Sequence, residues 1–125
     1  MPEKPRIVAI DDEAEFTTAI EEFFGARGYD VRVALTGPSG LSVIDECRPE
    51  VVLVDFKLPG MDGDEILRYV RQKHPQTKVI VITAYNDGGK TRQRLLSEGA
   101  FAHFDKPVSS LRDLVDTIKQ ALASP

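Results

Sequence analysis

VVLVDFKLPGMDG, residues 51–63, is the stretch on which the fold turns. Val51 to Val54 are apolar at every position, so neither face is left for water, as in a strand covered on both sides. A single carboxylate, Asp55, ends the run, and the segment after it is rich in turn residues. A lone acid at the end of a hydrophobic strand raises the question of what it meets there.

The rest of the chain repeats the pattern. RIVAI (6–10) is a second short apolar run, VRVAL (31–35) reads as a strand, KVIVIT (78–83) as another buried strand and FAHF (101–104) as a short one. Between them the apolar period changes from that of a strand to that of a helix. From Glu13 to Arg27, Phe16, Ile20 and Phe23 recur at helical spacing, with Gly28 as the stop. Leu41 and Ile44 share a face in 38–47. Asp62 is placed to cap a helix bearing Ile66, Leu67 and Val70, which His74-Pro75 ends. A polar helix is expected over 87–98, closed by Gly99. Ser109 or Ser110 caps a last one with Leu111, Leu114, Val115, Ile118 and Leu122 in one stripe. Strands alternating with helices imply an α/β, doubly wound, five-stranded parallel sheet with five helices. No repeat, low-complexity tract or linker interrupts residues 1–125, so a single domain is expected.

Composition narrows the function. The 125 residues are 42% hydrophobic and 29% charged, ordinary for a soluble domain. Aromatics are 7% and Trp is absent, which leaves little surface for stacking bases or sugars. A net charge of −4 gives no overall attraction to nucleic acid or anionic lipid. The one cysteine, Cys47, excludes a disulfide framework and any multi-cysteine zinc site. No apolar run approaches the roughly 20 residues that span a bilayer, and MPEKPR lacks a signal core. A cytoplasmic domain that binds neither nucleic acid nor membrane is the expectation.

In a parallel sheet, function collects at the carboxyl ends of the strands. Asp11, Asp12 and Glu13 follow the first strand, Asp55 the third, Thr83 and Ala84 the fourth, and Asp105, Lys106 and Pro107 the fifth. Carboxylates that converge repel one another, so they need a cation or must stay protonated. Hard oxygen ligands with room for water suit Mg²⁺ better than zinc. A lysine and a hydroxyl beside such an ion make a receptor for a phosphoryl group. Asp55 is then a carboxylate nucleophile able to form an aspartyl phosphate.

With these residues in order, VAIDDE, VDFKLPGMDG, VITAY and FDKP, the chain resembles the receiver domains of two-component response regulators from Arg6 to about Ala123. The resemblance implies the strand order 2-1-3-4-5. It makes Asp55 the phosphoacceptor, Asp11 and Asp12 the Mg²⁺-holding acids with Asp55 and the backbone carbonyl of Lys57, and Thr83 and Lys106 the groups that meet the phosphoryl oxygens. It also implies a cis bond before Pro107. The partners it implies are a sensor histidine kinase or phosphotransfer protein, and a downstream effector or output domain whose identity is not legible. Phosphorylation would reshape a surface of the fourth helix, fifth strand and fifth helix, on which two copies can pair.

One position departs from the family pattern. Three residues before Lys106, where Tyr or Phe is usual, stands His103. It is either a switch residue or a partly exposed surface residue without that role; alternation along the strand puts Phe104 on the opposite face. Gly88-Gly89 reads as a loosened helix start, and Lys90, Arg92 and Arg94 as a solvated face. Lys57 and Tyr85 stand beside the proposed site, Cys47 as a packed thiol and His74 at a helix end. A phosphohydrolase and a flavin carrier share the fold. The first wants a cap that these short loops do not supply, and the second a phosphate loop that the acidic DDE replaces. A receiver-like module that takes no phosphate remains a third alternative, kept alive by His103.

Overall fold

The computed structural model describes residues 4–108 and 110–125. Among these, five strands alternate with five helices: β1 (Arg6–Ile10), α1 (Ala14–Gly25), β2 (Asp30–Ala34), α2 (Gly37–Cys47), β3 (Val51–Val54), α3 (Gly63–Lys73), β4 (Lys78–Thr83), α4 (Lys90–Ser97), β5 (Ala102–Asp105) and α5 (Leu111–Ala123). The strands form one sheet in the order β2-β1-β3-β4-β5. Every pairing is parallel, so all carboxyl ends lie along one edge.

The all-apolar strands are explained by what covers them. Val8, Ile10, Val52, Val54, Val79 and Val81 pack on one face with Ile44, Ile66, Leu67, Val70 and Leu95 of α2, α3 and α4. Ile7, Ala9, Val51, Leu53, Ile80 and Ile82 pack on the other with Ile20 and Phe24 of α1 and Leu114, Ile118 and Ala121 of α5. Full burial of each such Val, Leu or Ile is worth about 1.5–3 kcal/mol, and a one-residue slip would exchange the two faces.

The helix ends depart from the expected ones. α1 stops at Gly25, and Gly28 lies three residues beyond, at φ +91°. In α1 the fully buried ring is Phe24, while Phe16 and Phe23 are only partly covered. Asp62 and Ser110 stand at the N-caps of α3 and α5, yet neither side chain makes a capping bond; Ser109 lies outside the described residues. The side-chain cap is Thr36, whose hydroxyl oxygen accepts from the Ser39 amide at 3.2 Å at the start of α2. α4 begins at Lys90, not at Asp87, because Gly88 and Gly89 both take positive φ. Asp87 instead bonds back to the helix from the loop: Thr91 donates its amide to Oδ1 at 3.0 Å and its hydroxyl to Oδ2 at 2.6 Å. Among the described residues no helix is long and apolar enough to cross a membrane.

Candidate functional site

Two strands side by side set the distance between the acids. β1 and β3 are in register with Ile10 opposite Val54. The ladder runs one residue further, Asp11 donating its amide to Ala34 and Asp55 donating its amide to Ile10. Asp11 and Asp55 are therefore held by backbone bonds at neighbouring strand ends, and both are buried. Asp12 follows on the surface, and one oxygen from each of Asp11, Asp12 and Asp55 lies within 4.8 Å of the other two. Three hard oxygen donors so close, two of them withdrawn from water, are a donor set that fits Mg²⁺.

A fourth element brings the counter-charge. Lys106 follows β5 across a cis peptide bond to Pro107, and its amide donates to the Thr83 carbonyl at 2.9 Å. Its Nζ reaches Asp11 Oδ2 at 2.6 Å, Glu13 Oε1 at 2.5 Å and Asp55 Oδ2 at 3.2 Å. All three donors of the ammonium are thus engaged. Burial works against its charge, but the bonds to Asp11 and Glu13 outweigh this and hold its pKa above the ordinary lysine value. The Asp11 carboxyl lies above its usual range, because burial outweighs the bonds from Lys106 and from the Glu13 amide. Glu13 was not singled out in sequence as a site residue. Its position directly after the acidic pair was the only signal for it.

The other residues expected here are placed unevenly. Thr83 is buried at the end of β4, and its hydroxyl oxygen accepts the Tyr85 amide at 3.1 Å. Lys57 donates its amide to Asp55 Oδ1 at 3.2 Å. The Lys57 ammonium stands 4.7 Å from the centre of the Tyr85 ring, which lies 5.3 Å from that of Phe56. These groups form one wall of the site. Behind them, Gly63 donates its amide to the Phe56 carbonyl at 2.6 Å, and a Cβ there would stand 2.6 Å from the Asp55 carbonyl oxygen. Only glycine lets α3 start so close to the Asp55 loop.

His103 is not the partly exposed surface residue that one reading expected: its side chain is only 3% exposed. It pairs with Val81 in the β4–β5 register, and the loop before α4 covers it. Phe104 does pack on the opposite face, with the α1 and α5 layer. Lys90, Arg92 and Arg94 are exposed as expected, although Arg94 also reaches Asp64 of α3 at 3.6 Å. Cys47 is buried, and His74 caps the end of α3 with Nε2 2.8 Å from Asp45 Oδ1.

Comparison with known proteins agrees with this geometry. The family model for the response regulator receiver domain matches residues 7–119. Sporulation initiation phosphotransferase F of Bacillus subtilis (strain 168) is 35% identical over 112 residues, covering 88% of this chain and 90% of that protein. Transcriptional regulatory protein TrcR of Mycobacterium tuberculosis is 34% identical over 117 residues, which are 94% of this chain but 45% of that protein. A CheY-like response regulator receiver domain protein from Methanospirillum hungatei JF-1 superposes with a TM-score of 0.88 at 32% identity, over 95% of this chain and 94% of that one. The chain belongs to the response regulator receiver domain family and is a domain for phosphorylation-controlled signalling.

Proposed function

We propose that Asp55 accepts the phosphoryl group and that Asp11, Asp12 and Lys106 make this reaction feasible. The observation that carries the reading is the meeting of Asp55, Asp11 and Lys106 at three separate strand ends, with Lys106 within 3.2 Å of the acceptor carboxylate. The Asp55 carboxylate attacks phosphorus, and an O–P bond forms as the P–N bond of a phosphohistidine breaks. The electron pair of that bond stays with the departing imidazole, which takes up a proton. Lys106 then exchanges a carboxylate contact for a phosphoryl oxygen, and the Thr83 hydroxyl turns from the Tyr85 amide to donate to another. Water attacking the same phosphorus reverses the modification and returns the Asp55 carboxylate.

Asp11, Asp12, Asp55 and the backbone carbonyl of Lys57 would hold Mg²⁺, which offsets the negative charge gathering on the phosphoryl oxygens. The phosphodonor is a sensor histidine kinase or a phosphotransfer protein. The modified domain acts in the cytoplasm through its α4–β5–α5 surface, on an effector, an output domain or a second copy. Intact mass after incubation with acetyl phosphate and Mg²⁺ tests the chemistry. One phosphoryl adduct is expected, absent in Asp55→Asn and absent without Mg²⁺. No adduct at short times, together with no binding of beryllium fluoride, would leave a module that signals by binding alone.

A further inference from the structure

Under the loop that joins β4 to α4 lies a cavity of about 290 Å³, lined by Tyr85, Asn86, Asp87, Gly88, Gly89, Thr91, Arg92, His103 and Asp105. His103 forms its floor, and its Nδ1 is sealed from solvent with no hydrogen-bond partner. The nearest carboxylate, Asp105 on the same strand, stands 3.9 Å from Nδ1, beyond hydrogen-bond reach, and its own side chain is 61% exposed.

The charges around the ring do not favour a second cation. Arg92 of α4 faces the cavity, Asp87 in the loop already receives two bonds from Thr91, and Tyr85, just past β4, completes the lining. Burial pushes the imidazole pKa below its ordinary value; Asp105 works the other way and Arg92 adds to the lowering. A protonated ring must find an acceptor for Nδ1–H, and the nearest, Asp105, comes within reach only when the ring and that carboxylate move together. The roof can yield, since Gly88 and Gly89 carry no side chain to pack and α4 starts only after them.

We propose that His103 is a proton-operated latch: the neutral ring stays seated beneath the β4–α4 loop, and a proton drives it out and displaces that loop. Resting on the phosphorylation reading above, the latch opposes activation in acid. Thr83 and His103 lie on the same face of neighbouring strands, since Val81 is paired with His103 and Thr83 stands two residues further along β4. Movement of Thr83 towards Asp55 vacates room beside the ring, which a neutral imidazole can fill and an imidazolium can not.

The chain has two histidines, so NMR can follow both rings, with His74 as internal reference. In the unphosphorylated protein, the His103 ring is expected to titrate below the ordinary value of about 6.5, with the amides of Gly88, Gly89 and Thr91 moving at the same midpoint. Those amide shifts should vanish in His103→Phe. A midpoint at or above the ordinary value, or loop amides that ignore it, overturns the latch whatever happens at Asp55. The second readout is beryllium fluoride binding with Mg²⁺ across the same range. Relative to His103→Phe, the wild type should lose affinity by up to about tenfold per pH unit between the midpoints of the free and bound forms. Equal pH profiles for the two proteins would remove the link to activation. No binding by either protein at any pH would instead refute the phosphorylation reading, and with it the link to activation, leaving the ring titration to decide the latch alone.

Discussion

Lys106 sits closer to Asp11 than to Asp55: its Nζ is 2.6 Å from an Asp11 oxygen and 3.2 Å from an Asp55 oxygen. The lysine is thus anchored chiefly on the acids that follow β1, and its longest bond is the one to the acceptor. An incoming phosphoryl oxygen can replace that bond without dismantling the rest, because Asp11 and Glu13 continue to position the ammonium.

Replacing the lysine tests this. Lys106→Met should still bind Mg²⁺, at least as tightly as the wild type, because a competing cation has gone. Labelling by acetyl phosphate should fall by an order of magnitude or more, as for loss of a preorganised electrostatic group. Metal-free stability at neutral pH should drop by up to about 3 kcal/mol, the lower end for breaking a buried ion pair, since the Glu13 partner is exposed. The raised lysine pKa places this contribution throughout the range below the unfolded value and removes it only as pH climbs past the folded one. Undiminished labelling would show that Lys106 does not meet the phosphoryl group.

Asp11 gives the opposite sign. Its raised pKa means that the folded chain holds the proton more tightly than the unfolded chain, so stability grows as pH falls from neutral towards the carboxylate range. Thermal melts of metal-free Asp11→Asn at pH 7 should therefore show a gain in stability over the wild type that shrinks on acidification. Added Mg²⁺ should stabilise the wild type far more than the variant. A variant that melts lower than the wild type under metal-free neutral conditions would contradict the charge strain inferred here.

Gly63 has no room to change. A Cβ would meet the Asp55 carbonyl oxygen at 2.6 Å and the Phe56 Cα at 2.8 Å, both backbone atoms that can not swing aside. Gly63→Ala should cost about 1–3 kcal/mol by overpacking and slow phosphorylation by shifting the acceptor loop. Chemical denaturation and labelling rate measured together check both. An alanine variant with wild-type rate and stability would show that the α3 start is not held against Asp55.

Thr83→Ala separates modification from its consequence. The Tyr85 amide loses the oxygen it donates to, at a cost of about 1 kcal/mol. The Asp55 adduct should still form, while amide shifts of the β4–α4 loop on beryllium fluoride binding should largely disappear. Full-sized loop shifts in the variant would place the relay elsewhere.

β1, β3 and β4 were legible because they are apolar at nearly every position, a pattern that two-sided burial explains, whereas β2 and β5, which carry Arg32 and His103, are only partly buried; the acids were legible because they stand at or just past such strand ends. Caps were read less well. Asp62 and Ser110 have the right chemistry at the right place, yet the bond was found at Thr36, because capping depends on a side-chain rotamer that sequence does not specify. The start of α4 failed for a related reason: two successive glycines at positive φ, with an aspartate bonding across them, override helical periodicity.

By itself, the sequence determined which residues stand at the strand ends and therefore which chemistry the carboxyl edge can carry. Strand order, read there only through the family resemblance, follows in the structure from crossovers that return each strand to a chosen neighbour. The tertiary structure alone decided how the charges are shared, with Lys106 drawn onto Glu13 and Asp11, and how deeply His103 is sealed. Both depend on what the loops bring over the sheet edge, on distances of a few ångströms between segments some ninety residues apart, and no local pattern encodes these.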